Sequence, residues 1–290
     1  MRRELTHALV DVGLIALGIF AGCYGTMVGL GGGFLLVPAF LLLGYDTRVA
    51  AGTSIFVVVV NAVSGSASYL RQRRTDVRSA VIFAIAGIPG AWFGAVVDQW
   101  LPQRLFSTLF AGLLSWVGIR LLTTSERSHE GLEGESHRDD EPRPGLIDDA
   151  ERGFVERDFV DAHGIRYSYR YNIVPAIAVS LASGFVASLF GIGGGLVQVP
   201  AMVYMFNFPA HVATATSHLI IAITSIFSVA SHAAYGDVAW APAVLVGAGA
   251  LVGAQIGARL AKRVPAGPLM KLLAFGALVT AAKLLWNALF

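Results

Sequence analysis

The sequence predicts an all-α polytopic membrane protein built from two inverted-topology repeats. Three observations predict it: the share of apolar residues, the length of the apolar runs, and self-similarity at a fixed offset. Apolar residues make up 55% of the 290-residue chain and charged residues only 14%. A soluble domain carries about 25% charge. Eight runs approach the roughly 20 residues that a spanning helix needs: 9–28, 49–70, 79–97, 105–122, 173–190, 212–235, 238–260 and 269–290. They are continuous rather than alternating, which argues against a membrane barrel. Helices are then the remaining option, because no backbone group can go unpaired in lipid. Met1-Arg2-Arg3 resembles a short leader, but the run behind it recurs in the second half, so it is read as part of the repeat.

The offset defines the halves. Gly29-Leu-Gly-Gly-Gly-Phe-Leu-Leu-Val-Pro38 matches Gly191-Ile-Gly-Gly-Gly-Leu-Val-Gln-Val-Pro200, and Val49-Ala-Ala-Gly-Thr-Ser54 matches Val212-Ala-Thr-Ala-Thr-Ser217. Gly90, Gly94 and Arg120 recur as Gly253, Gly257 and Lys283. Each half is therefore expected to hold a glycine-broken or re-entrant helix pair plus three spanning helices. The short run after each break (34–43 and 196–206) is too short to cross a bilayer. The first repeat is placed at 1–123 and the second at 172–290. Between them, 124–171 carries 13 acidic residues and seven arginines and few apolar ones. It is expected to be a mostly disordered linker. Its end, Gly-Ile-Arg-Tyr-Ser-Tyr-Arg-Tyr at 164–171, has the Arg and Tyr that suit a membrane interface.

Basic clusters orient the halves. Arg71, Arg73, Arg74 and Arg78 follow the third segment of the first half, whereas Arg259, Lys262 and Arg263 follow the fourth segment of the second. Short loops rich in Lys and Arg stay cytoplasmic. Both clusters can be cytoplasmic only if the halves are inverted, which also puts the linker on that side and the N-terminus on the other. The expected location is the cell inner membrane, multi-pass.

The glycine breaks are the candidate site. Gly31, Gly32 and Gly33 in one half and Gly193, Gly194 and Gly195 in the other weaken a helix at membrane depth, where broken backbone is tolerated only beside protein or a watery cavity. In repeat transporters such paired breaks mark the substrate site. A helix restarting after a break aims free N–H groups and about half a positive charge at it, so two such ends suit a small oxyanion. Thr53, Ser54, Thr216 and Ser217 open the next helix of each half, where a helix cap and an anion ligand need the same geometry. Asn61 lies one to two turns on, opposite Thr224. His218 and Gln198 occur in the second repeat only, opposite Ile55 and Leu36, so specificity or coupling is expected on that side. His232 is expected at an exposed interface. Gly90/Gly94 and Gly253/Gly257 read as close helix packing.

No cofactor, no metal site and no catalytic residue is expected. Cys23 stands alone, and no intramembrane Asp pair or metal cluster is visible. Ser217 and His218 are neighbours on a helix and point about 100° apart, so they cannot act as nucleophile and base together. The expected partners are a small anionic substrate and the bilayer, with a homo-oligomer possible and no nucleic acid. A non-transporting scaffold using the acidic linker, or an intramembrane enzyme, are the alternatives.

The G-x-G-G-G-x-x-x-x-P elements, the short runs behind them, the Ala-x-Gly-Thr-Ser and Ala-Thr-Ser helix starts and the helix 218–228 leading to Tyr235-Gly-Asp-Val238 resemble the TauE/SafE family of sulfite exporters. The resemblance covers nearly the whole chain except the linker. It implies a transporter of sulfite or a related organosulfur or sulfur-oxyanion compound, and no residue named above separates those substrates.

Overall fold

In the computed structural model, the described residues are 2–124, 153–162, 164–261, 274–275, 278–279 and 281–286; the side chains of 2–7 and 120–124 are not among them. The first half comprises α1 (Arg2–Val28), α2 (Gly33–Leu42), α3 (Thr47–Arg71), α4 (Val77–Trp100) and α5 (Gln103–Thr124). A hairpin of β1 (Phe154–Val160) and β2 (Arg166–Asn172) follows. The second half comprises α6 (Ile173–Phe190), α7 (Gly195–Tyr204), α8 (Ala210–Ala234) and α9 (Trp240–Leu260), and residues 281–286 are again helical. Among the described residues six helices (α1, α3, α4, α6, α8 and α9) are long and apolar enough to cross a membrane, and α2 and α7 are short apolar helices. The molecule is a multi-pass, mostly helical membrane protein. Its outward faces carry exposed Ile85, Trp92, Phe93 and Leu251, which suit lipid rather than water. Most of the linker (125–152), Lys262, Arg263, the Arg120 side chain and most of the eighth apolar run lie outside the described residues.

The halves interlock through small residues. A Cβ added to Gly90 would lie 2.0 Å from the Leu181 carbonyl oxygen on α6, and one on Gly253 would lie 2.2 Å from the Ile19 carbonyl oxygen on α1. Gly94 and Gly257 repeat the contact one turn on, against Phe185 and Cys23. Thus α1 packs along α9 and α4 along α6, each pair in parallel. Further contacts set the other directions. Phe56 meets Trp240, Ser64 donates to the Leu251 carbonyl and Gln72 to the Ala258 carbonyl, so α3 and α9 are parallel. At one end the Thr216 hydroxyl accepts the Asp76 N–H; at the other the Thr53 hydroxyl accepts the Ala239 N–H. Hence α3 and α8 are antiparallel. The ends of α3 and α9 that carry Arg71 and Arg259 lie together.

The reading of the linker as mostly disordered needs correction at its end, where two strands form. Phe154–Val160 and Arg166–Asn172 pair antiparallel, with Phe154 opposite Asn172 and Val160 opposite Arg166. Both segments alternate in burial, a period-two pattern that marks a half-buried strand. Tyr169 and Tyr171 point inward against Phe83, Phe206 and Phe208. The hairpin is pinned at the start of α4. Asp76, 2% exposed, accepts from Arg157 through Nε at 2.8 Å and Nη2 at 2.6 Å, and from the Tyr169 hydroxyl at 2.7 Å. It also accepts from the Ser79 N–H and hydroxyl, capping α4.

Two predictions follow from this packing. Gly90→Ala and Gly253→Ala each force a methyl onto a carbonyl, so each should lose about 1–3 kcal/mol of stability in denaturant unfolding of the detergent-solubilised protein. Gly112→Ala meets nothing within 4 Å among the described residues and should be neutral or stabilising. Burial pushes the Asp76 carboxyl up, but Arg157, Ser79 and Tyr169 outweigh it and hold it below the usual carboxylate range. A lowered value means that the contribution is complete above about pH 4 and lost as pH falls through the folded-state value. Thermal stability should therefore stay level down to about pH 4 and then fall, and Asp76→Asn should flatten that fall while speeding tryptic cleavage after Arg157.

Candidate functional site: the paired glycine breaks

Each break contains positions whose backbone favours glycine. Gly29, Gly31 and Gly32 have φ of 83°, 77° and 83°, and Gly191 and Gly193 have φ of 67° and 69°. L side chains avoid this left-handed region. It lets α1 stop and α2 restart within four residues, and likewise α6 and α7. The helix α2 begins at Gly33 and α7 at Gly195, and each N-terminus leaves its first N–H groups outside the helix ladder.

The two breaks meet backbone to backbone. A Cβ on Gly33 would lie 2.6 Å from the Gly191 carbonyl oxygen, and one on Gly195 would lie 2.1 Å from the Gly29 carbonyl oxygen. The positive ends of α2 and α7 therefore converge at the middle of α3 and α8, next to Val58 and Ile221. Serines from the opposite half fasten the break carbonyls. Ser54 donates to the Gly191 carbonyl at 2.8 Å, and Ser217 donates to the Gly29 carbonyl at 3.2 Å. All of these groups are buried.

Polar side chains flank the first break. The Thr26 hydroxyl donates to Asn61 Oδ1 at 3.1 Å, and His218 Nε2 lies 3.2 Å from Thr26 Oγ1. With the threonine proton so used, Nε2 is the donor to Thr26. The Tyr69 hydroxyl donates to the Thr26 carbonyl, and its ring meets His218 edge-on at 5.6 Å. Among the described residues Asn61 Nδ2 has no hydrogen-bond partner, and a Cβ on Gly32 would lie 3.7 Å from it. Thr26 and Tyr69 were not singled out from the sequence. Thr26 precedes its break by three residues, as Ser188 precedes Gly191, and that shared spacing was the available signal.

The second break is furnished differently. Ser188 and Ser228 hydroxyls lie 2.6 Å apart, and His232 Nε2 donates to the Ser188 carbonyl at 3.0 Å. Thr224, opposite Asn61 in the repeat, bonds back to the Ile220 carbonyl of its own helix. Gln198 donates to Ser180 and leaves Oε1 without a partner among the described residues. Ser183 donates to the Gly194 carbonyl.

The structure thus gathers the six break glycines, Ser54, Ser217, Asn61 and His218, with Gln198 one turn into α7. Thr53 and Thr216 stand apart, since their hydroxyls hold the starts of α9 and α4. Three expectations need correction. Thr53, Ser54, Thr216 and Ser217 do not open their helices but lie inside α3, which starts at Thr47, and α8, which starts at Ala210. His232 is fully buried, not exposed. Asp98 and Asp237, far apart in sequence, come together with it at the end of the bundle away from the hairpin. At the hairpin end, a cavity of about 780 Å³ is lined by Arg73, Arg78 and Arg157.

Comparison with known proteins settles the family. The description "Sulfite exporter TauE/SafE" matches residues 14–284. The chain belongs to the TauE/SafE family. Within it, the chain is 31% identical over 285 residues to the probable membrane transporter protein YunE of Bacillus subtilis, covering 96% of this chain and 98% of that one. It is 24% identical to YjnA of the same organism, over 95% of this chain and all of that one. It is 28% identical to a probable membrane transporter protein of Xylella fastidiosa, over 92% and 93%. No solved structure matches. This TauE/SafE chain is accordingly a membrane protein of a transporter family, and the family and relatives' names are those of transporters rather than enzymes.

The clustered polar groups make one prediction. A Cβ on Gly65 would lie 2.6 Å from His218 Cδ2, so Gly65→Ala should displace the ring from Thr26. The expected loss is about 1–3 kcal/mol of stability, and His218→Ala in the same chain should recover part of it by making room.

Proposed function

We propose that the chain carries a small anion, sulfite or a related sulfur oxyanion, across the cell inner membrane, binding it between the two glycine breaks. The observation that carries this reading is the convergence of the α2 and α7 N-termini at the centre of the bundle. Each supplies free N–H groups and about half a positive charge. Asn61 adds an unpartnered amide donor beside the first break. An anion can thus be held without a buried Lys or Arg, which would be expensive at the bilayer centre. In the cavity at the hairpin end Asp76 offsets Arg157, and the remaining charge of Arg73 and Arg78 would draw anions toward that side.

We read the halves as inverted repeats that rock against each other. The reading is supported by the antiparallel run of α3 and α8, by the parallel pairs α1–α9 and α4–α6, and by the gathering of Arg71 and Arg259 at one end. That end is assigned to the cytoplasm by its basic residues. In the conformation described, the breaks are closed on each other, so binding requires them to part. An interior-negative potential favours anion expulsion by about 2.3 kcal/mol per charge per 100 mV. Export needs no coupling ion, whereas uptake does, and His218 is the best candidate for proton coupling in that case.

Proteoliposomes test the reading. The purified chain should pass sulfite down an imposed potential. Gly32→Leu and Gly194→Leu, checked for folding by gel filtration, should reduce that flux at least tenfold, whereas Gly112→Ala should not. Absence of flux for every sulfur oxyanion tried, with well-folded protein, would contradict it.

A further inference from the structure

Away from the breaks, at the end opposite the hairpin, three buried side chains converge. Asp98 lies near the C-terminus of α4, His232 in the last turn of α8, and Asp237 in the connection to α9. They are 1%, 0% and 8% exposed. One candidate ligand atom from each lies within 4.8 Å of the other two.

The hydrogen bonds leave this group incomplete. His232 Nε2 lies 3.0 Å from the Ser188 carbonyl oxygen. A carbonyl only accepts, so Nε2 carries hydrogen. Nδ1 is turned to the carboxylates and has no hydrogen-bond partner among the described residues; it stands 3.7 Å from Asp237 Oδ2. That distance is too long for a hydrogen bond. It is close to the ~3.4 Å between two tetrahedral ligands set about 2.1 Å from one ion. Among the described residues both carboxylate oxygens of Asp98 also lack a hydrogen-bond partner. Arg48 does not supply one, since its guanidinium donates to the Gln99 and Leu101 carbonyls. Counting its charge, two carboxylates and one guanidinium leave the group one negative charge when His232 is neutral. A buried imidazole lone pair and an orphaned carboxylate facing each other lack a cation between them.

We propose that Asp98, His232 Nδ1 and Asp237 bind one divalent transition-metal ion. Imidazole with carboxylates suits the zinc and manganese class better than calcium or magnesium, which prefer all-oxygen sets. The outer partners fit a metal site as well. Nε2–H on the Ser188 carbonyl fixes the tautomer that frees Nδ1, and the Gln99 amide donates to Asp237 Oδ2. The ligands come from α4 of one half and from α8 and its following loop in the other, with Ser188 on α6 behind the histidine. A bound ion therefore clamps the two halves together at this end. The proposal does not depend on the identity of the transported anion.

The test uses the full purified chain, stripped with a chelator, then titrated with Zn²⁺ by calorimetry and with Co²⁺ by visible absorption. One ion per chain and cobalt d–d bands are expected. Asp98→Asn and His232→Gln should weaken binding at least a hundredfold, and His211→Gln should leave it unchanged. No saturable binding to the folded wild-type chain overturns the proposal, whatever the variants do. Equal affinity in Asp98→Asn and wild type overturns it too, and assigns any ion to other histidines. Asp237→Asn serves in the same way if His232→Gln does not fold.

Discussion

Two interrupted backbones lie against each other inside this bundle, and most of the architecture answers to that contact. Where Gly33 meets the Gly191 carbonyl and Gly195 meets the Gly29 carbonyl, a methyl group would collide with backbone. Carbonyls freed by the interruption cannot reach water, so each needs a donor. The donors come from across the pseudo-symmetric contact: Ser54 serves the second break and Ser217 the first. That exchange requires α3 and α8 to pass side by side at the centre. The parallel pairs α1–α9 and α4–α6 then enclose them, held close by stripes of small residues.

Symmetry governs the frame and fails at the furnishings. Tyr69 and His232 are equivalent, and both donate to a carbonyl three residues before a break. Yet the first break has Thr26, Asn61 and His218 in one connected chain, while the second has two serines and a threonine turned onto its own helix. His218 belongs to the second repeat by sequence but serves the first break in space, because α8 crosses to it. The second-repeat residues that break the pattern therefore act at opposite places: Gln198 near its own break and His218 at the other. His232 keeps the tyrosine role through Nε2 and turns Nδ1, an atom that Tyr69 lacks, toward Asp98 and Asp237.

Much of this was legible in the sequence, for physical reasons. The bilayer demands long apolar helices, and the 162–163 offset exposed the repeat, the breaks and the small-residue contacts. The hairpin was not legible within an acidic, charged segment. Its alternation is carried by Val155, Phe159, Tyr169 and Tyr171 among arginines and acids, and its anchor, Asp76, lies about 80 residues earlier. The Asp98–His232–Asp237 group was equally hidden. Each member reads alone as a polar residue at a helix end, and only the crossing of α4 and α8 joins them. The roles of Thr53 and Thr216 could not be separated from those of Ser54 and Ser217 in sequence, although one residue on a helix changes direction by about 100°.

The central claim is that the closed contact between the breaks is one state of a cycle that opens to each side in turn. Val58 reports on it, since it is fully buried and a Cβ added to either Gly31 or Gly193 would run into it. In a Cys23→Ala background, Val58→Cys can be probed with a membrane-impermeant thiol reagent in vesicles of both orientations. Labelling from either side during turnover, slowed by sulfite, is the predicted result. A cysteine that stays unreactive from both sides while sulfite flux continues would contradict the account.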